Sequence, residues 1–198
     1  MQTALHGHIE HTHPASNFAD SIPGKILLAF AATGLMALAA HVSLPIPFSP
    51  VPLTLAPFAV LLLGMTLGPV TAFGAMMLYL AEGAMGMPVF TPQGPGGIVQ
   101  LLGPTGGYLF AYPLAAAVAG WIAGNLRVVC SSLLRGLLAG TVATSIILCC
   151  GAVWLAAVLH LHAEAAWQLA VAPFLPGEML KITTAAIFFS TTRRWQHS

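Results

Sequence analysis

The chain has 198 residues, 58% hydrophobic and only 6% charged, with six Lys/Arg against five Asp/Glu and a formal net charge of +1. Soluble domains carry about 25% charged residues, so a water-solvated surface is excluded, and with no basic patch so is a nucleic-acid interface. A membrane helix needs roughly 20 apolar residues at 1.5 Å each; the length therefore admits six spans at most and leaves no room for an ATPase or a large catalytic domain.

Residues 1–24 are polar and read as a tail carrying His6, His8, His11 and His13. Imidazoles at this density can bind Zn, Ni or Cu, but a tail lacks fixed geometry and supporting hydrogen bonds, so no metal is expected. No positive region or cleavage site precedes the first apolar run, and no cleaved signal peptide is expected. Apolar runs follow at about 26–44, 53–67, 70–87, 107–124, 136–159 and 169–190. In the first, the small residues Ala29, Thr33 and Ala37 are spaced four apart on one face, which permits close helix approach in lipid. That face serves either packing within the chain or docking of a partner membrane subunit.

The second run is short and opens with Pro, and the segment before it, PIPFSPVP (45–52), holds four prolines in eight residues. Such a segment cannot be helical and is expected to be stiff and extended. Between the third and fourth runs lie GAMGMPVF (83–90), TPQGPGG (91–97) and LGPTGGY (102–108), a Gly-rich connection suited to close backbone approach to a ligand or to a re-entrant lid. No Gly-Lys-Ser/Thr follows, so it is not a phosphate loop. Cys149 and Cys150, adjacent in the fifth run, suggest no disulfide framework.

Basic residues set an orientation. Lys25 precedes the first run, Arg127 and Arg135 lie between the fourth and fifth, and Arg193 and Arg194 follow the sixth. Six spans put all five on one side, which the positive-inside rule makes cytoplasmic. Both termini are then cytoplasmic, and the Pro-rich and Gly-rich connections face outward.

The sixth basic residue, Lys181, lies inside the last run in PFLPGEMLK (173–181), three residues after Glu178. Residues i and i+3 share a helix face, and an ionisable residue inside a membrane marks a functional site by default. The pair is either a structural ion pair or a site offering an acceptor for N–H groups and a cationic donor for a carbonyl or carboxylate. Phe90 and Tyr108 are candidates for an apolar wall and a hydroxyl, or else interfacial anchors. Glu82 is a second polar site group or a snorkelling surface carboxylate. His41, at the end of the first run, is within reach of the same region; His160 and His162 mark the membrane interface. Catalysis finds little support: there is no Gly-x-Ser-x-Gly elbow and no His-Glu-x-x-His pair.

PIPFSPVPLTL, YLAEGAMGMPVF, LGPTGGYL and PFLPGEMLK, in this order and spacing, together resemble the BioY family of biotin-specific substrate-binding (S) components of energy-coupling factor (ECF) transporters. The resemblance spans about 25–192. It implies an all-α integral membrane protein with six transmembrane helices over 25–192, a cytoplasmic tail over 1–24 and a short basic cytoplasmic end over 193–198. It also implies a bacterial cytoplasmic-membrane location, biotin as ligand with no cofactor, and a separate transmembrane coupling subunit with ATPase subunits as partners; some members are encoded without dedicated partners, so transport by the chain alone stays open. Implied ligand-binding positions are Glu178, Lys181, Thr105, Gly106, Gly107 and Tyr108, with Tyr79, Glu82, Phe90 and His41 as further candidates; the implied docking face is Ala29, Thr33 and Ala37. The family commonly has Asp where Glu178 stands, and Gln where His41 and Ala56 stand. Glu178 accepting from the ureido N–H groups with Lys181 donating to the carbonyl, and Lys181 neutralising the carboxylate tail, are both open poses. An S component for thiamine or riboflavin, and an intramembrane enzyme, are the competing readings.

Overall fold

The computed structural model describes residues 22–126, 129 and 131–195. His6, His8, His11, His13 and Arg127, on which part of the tail and orientation arguments rest, lie outside the described residues, as do the side chains of Lys25 and Arg194. Six longer helices form a bundle: α1 (Ile22–His41), α2 (Ala56–Leu67), α3 (Pro69–Ala84), α5 (Gly106–Asn125), α6 (Ser132–Leu159) and α8 (Leu175–Trp195). Two short helices, α4 (Gly97–Leu102) and α7 (Ala163–Ala170), lie in the connections. The first helix starts inside the expected 1–24 tail, and the last continues past 192.

Proline and glycine set the breaks. Gly68, at φ 80°, sits between α2 and α3 and Pro69 follows in the first turn of α3; a left-handed residue ends one helix and a ring that lacks an N–H opens the next. The expected sixth run is divided. Turns at 171–174 separate α7 from α8, because Pro173 has no N–H to continue a helix and restricts Ala172 before it. The PIPFSPVP segment is not one extended stretch: it doubles back, and two-residue strands β1 (Ser43–Leu44) and β2 (Leu53–Thr54) pair antiparallel, Ser43 with Thr54 and Leu44 with Leu53.

The long helices pack through small residues. α5 is central, lying against α2, α3 and most extensively α6, while α8 packs on α6 and α2. Ala115, Ala116 and Ala119 of α5 are fully buried. A methyl on Gly64 of α2 would come within 2.6 Å of the Ala116 carbonyl, and one on Gly136 of α6 within 2.9 Å of the Ala186 Cα. Without a hydrophobic force between helices in lipid, such close backbone approach supplies the packing attraction.

The outward surface is apolar. Leu38, Val70, Val153, Met179 and Leu180 are each at least 70% exposed, an arrangement water would penalise and lipid does not. By length and composition α5 and α6 can each cross a membrane, and α6, at 28 residues, extends about 42 Å. α5 carries Pro113 in its interior, which membrane helices tolerate where neighbours satisfy the freed carbonyl.

Candidate functional site

One end of the bundle is closed by the strand pair, α4, and the segment from α7 into α8. These pieces are tied to one another and to the long helices: Ser49 Oγ donates to the Leu169 carbonyl at 2.8 Å, Trp154 Nε1 of α6 to the Gly103 carbonyl at 2.9 Å, and Tyr108 Oη of α5 to the Ala170 carbonyl at 2.7 Å. Ser43 Oγ donates to Gln93 Oε1, linking the strand pair to the Gly-rich connection. Beneath them lies a cavity that opens at its mouth, with about 570 Å³ of non-atom space when the adjoining open solvent is included.

The cavity combines an apolar body with few polar groups. Val51, Pro57, Leu109, Ile147, Leu148 and Phe174 give it apolar walls. Glu178 and Lys181, one turn apart on α8, join its lining. Lys181 Nζ donates to Glu178 Oε1 at 2.6 Å, and both side chains are under 10% exposed. The second carboxylate oxygen, Glu178 Oε2, is buried with no hydrogen-bond partner. Such an oxygen costs roughly 1–3 kcal/mol or more when left alone, and it is an acceptor open to a ligand N–H. The ammonium spends one of its three protons on Oε1 and has further donor capacity.

The expected residues separate into two groups. Glu178, Lys181, Tyr79, Thr105 and Tyr108 line the cavity. Tyr79 and Tyr108 spend their hydroxyl protons on the Val89 and Ala170 carbonyls, so toward a ligand they present ring and oxygen lone pairs. Glu82 does not line the cavity and does not snorkel: it is buried, and its Oε1 accepts from Thr33 Oγ1 at 3.2 Å. Phe90 fills the space left by Gly83 and meets Tyr79 edge-on, ring centroids 5.3 Å apart. Gly106 and Gly107 admit protein rather than ligand: a methyl there would collide with the Leu101 carbonyl or with the Trp154 side chain. His41 is exposed, with Nδ1 2.8 Å from the Ala37 carbonyl, outside the cavity lining. Of the α1 face, Thr33 turns inward to Glu82, while Ala29 and Ala37 are half-buried.

Tyr112 and Gln100 are among the polar cavity groups that escaped the sequence reading. Tyr112 is buried in the lining one turn after Tyr108; the four-residue spacing within GYLFAYP carries that signal. Gln100 is the polar residue in the otherwise apolar helix GIVQLL and is only 1% exposed.

A family profile matches residues 12–198, and its description is the BioY family. The chain belongs to the BioY family. Its relatives there include a probable biotin transporter BioY of Pyrococcus horikoshii, 40% identical over 153 residues, spanning 77% of this chain and 86% of the relative. The biotin transporter BioY of Thermotoga maritima is 36% identical over 155 residues, 78% of this chain and 87% of that one. That of Rhodobacter capsulatus is 32% identical over 180 residues, 87% and 94%. A crystal structure of the S-component for biotin from an ECF-type ABC transporter superposes with a TM-score of 0.79 at 21% identity, covering 92% of this chain and 95% of that one. That likeness shows the fold: the BioY chain here has the architecture of an S component.

Proposed function

We propose that this BioY chain captures biotin and carries it across the cytoplasmic membrane as the substrate-binding subunit of an ECF-type transporter. The observation that carries the reading is the buried Glu178–Lys181 pair in an otherwise mainly apolar cavity, with one carboxylate oxygen unspent. Biotin has the complementary chemistry: a ureido ring with two N–H donors and a carbonyl, an apolar thiophane ring and chain, and a carboxylate. Its relatives' names point the same way. Tyr79, Thr105, Tyr108 and Tyr112 complete the proposed binding wall. The proposed roles of Glu82, Phe90, Gly106, Gly107 and His41 are indirect, holding the helices and connections that carry the wall.

The six long helices act as six spans, with the cavity end outward and both termini cytoplasmic, so that 25–192 is the membrane-embedded binding domain. A separate transmembrane coupling subunit with ATPases drives release inward, docking on α1 about Ala29 and Ala37. Thr33, buried with its hydroxyl 3.1 Å from the Phe30 carbonyl and 3.2 Å from Glu82 Oε1, belongs to the internal contact. The test is the thermal stability of the purified, ligand-stripped protein in detergent with biotin, thiamine or riboflavin. A ligand that binds only the folded state raises stability by about 2.7 kcal/mol at a hundredfold excess over Kd. A shift with biotin alone is expected; a shift with thiamine or riboflavin instead reassigns the vitamin.

A further inference from the structure

Gln100 has a geometry that its neighbours do not explain. Its side chain is 1% exposed, and its Oε1 accepts from the Gly96 backbone N–H at 3.1 Å. That bond fixes which way the carboxamide faces, because an N–H must meet the oxygen and not the nitrogen. The amide nitrogen is left buried with no partner among the described residues. The carboxamide is also seated tightly: a methyl on Gly94 would come within 2.5 Å of its carbon and oxygen. The fold thus clamps a neutral two-proton donor by its far side.

The place of that donor is informative. Gln100 lines the main cavity together with Glu178 and Lys181. With Pro52, Thr91 and Thr105 it also lines a second hollow, between the Pro-rich segment and the Gly-rich connection. Gln100 therefore lines both hollows, as do Pro52, Thr91 and Thr105. The two unpartnered buried atoms of the cavity, Glu178 Oε2 and Gln100 Nε2, are complementary in kind: one only accepts while ionised, the other only donates. A ligand carboxylate laid against Glu178 Oε2 would face like charge, whereas a ureido N–H there is satisfied.

We propose that Gln100 is the specificity residue for the carboxylate end of the ligand, its Nε2 donating to the biotin tail while the ureido ring lies at Glu178 and Lys181. This rests on the biotin reading above and adds the end that the Glu178–Lys181 pair leaves unread. A neutral donor holds the anion without the salt-bridge strength that would hinder release.

The test compares two ligands on the purified full chain: biotin and biotinol, whose neutral alcohol replaces the carboxylate. Gln100→Met keeps length and removes the donor. It is expected to weaken biotin binding by about tenfold and biotinol by less than about threefold, collapsing the ratio between them. Gln100→Glu, measured at pH 8, sets a carboxyl against the tail and is expected to cost biotin on the order of a hundredfold, with biotinol again affected less. Ligand-free thermal stability identifies a variant that fails to fold, and the other variant then decides. Equal losses for the two ligands, or no loss, would overturn the assignment. Wild-type protein that binds biotin while the ratio stays fixed in the variants refutes the Gln100 role alone; wild-type protein that binds neither ligand refutes the biotin reading and this one with it.

Discussion

Lys181 and Glu178 hold each other in a place where neither would stand alone. Removing one member of a buried pair leaves an uncompensated charge, at a cost of about 3–5 kcal/mol. Lys181→Ala is therefore expected to lower thermal stability by that order and to weaken biotin binding well over tenfold. Stability alone does not separate a structural pair from a binding pair. The double variant Glu178→Gln/Lys181→Met removes both charges, and it is expected to recover most of the lost stability while biotin binding stays weak. Recovery of binding as well, read by calorimetry, would reduce the pair to a scaffold. Tyr79 and Tyr108 differ from the pair in kind, since their hydroxyl protons are already spent on backbone carbonyls. They shape the wall, and replacing either with Phe removes a tie to the 89 or 170 backbone before it removes a ligand contact.

At the scale of elements, the cavity depends on how closely α5 meets α6. Gly151 of α6 lies against the Tyr108 ring of α5, where any Cβ would overlap the ring atoms. Gly151→Ala is expected to displace the ring and its bond to Ala170, costing about 1–3 kcal/mol as overpacking does and weakening biotin binding in parallel. Gly34 of α1 has nothing within 4 Å of where its Cβ would be. Gly34→Ala is then neutral to slightly stabilising, since Ala exceeds Gly in helix propensity, and it leaves binding unchanged. Thermal melts and biotin titrations of the two variants side by side check the contrast. The strand pair and α7 are tied at the mouth: Ser49 joins the Pro-rich turn to the end of α7.

For the whole molecule, the proposed orientation rests on five basic residues in three places, which six spans would bring to one side. Reporter fusions are expected to place the N-terminus, the connection near Arg135 and the C-terminus in the cytoplasm, and the connections near Pro47, Gln93 and His162 outside. Termini found on opposite sides would overturn the six-span arrangement, and both found outside would invert the orientation. On the proposed reading of the chain as an ECF-type subunit, uptake in cells is expected to require a coupling subunit and ATPases; biotin accumulation in cells lacking such partners is the direct measurement, and accumulation there would show that the chain transports alone.

The sequence alone determined the solvent and singled out the Glu178–Lys181 pair as a candidate site. Six charged-residue equivalents per hundred cannot cover a water-exposed surface, and a Glu and a Lys one turn apart in an apolar run must face each other on any helix. The helix breaks at Gly68 and Pro69 were legible because glycine and proline act locally. Tertiary structure decided what each remaining residue faces. Glu82 meets Thr33 across 49 positions, Gly106 and Gly107 meet Leu101 and Trp154, and the PIPFSPVP segment folds back on itself; none of these follows from spacing along one helix. Gln100 is the clearest case. A glutamine in an apolar hexapeptide is unremarked in sequence, and only the Gly96 amide, the missing Cβ at Gly94 and the cavity beside it turn it into a fixed donor. The physical reason is range: propensity, hydropathy and i,i+3 pairing act within a turn or two, while cavities and unpartnered atoms are made by segments distant in the chain.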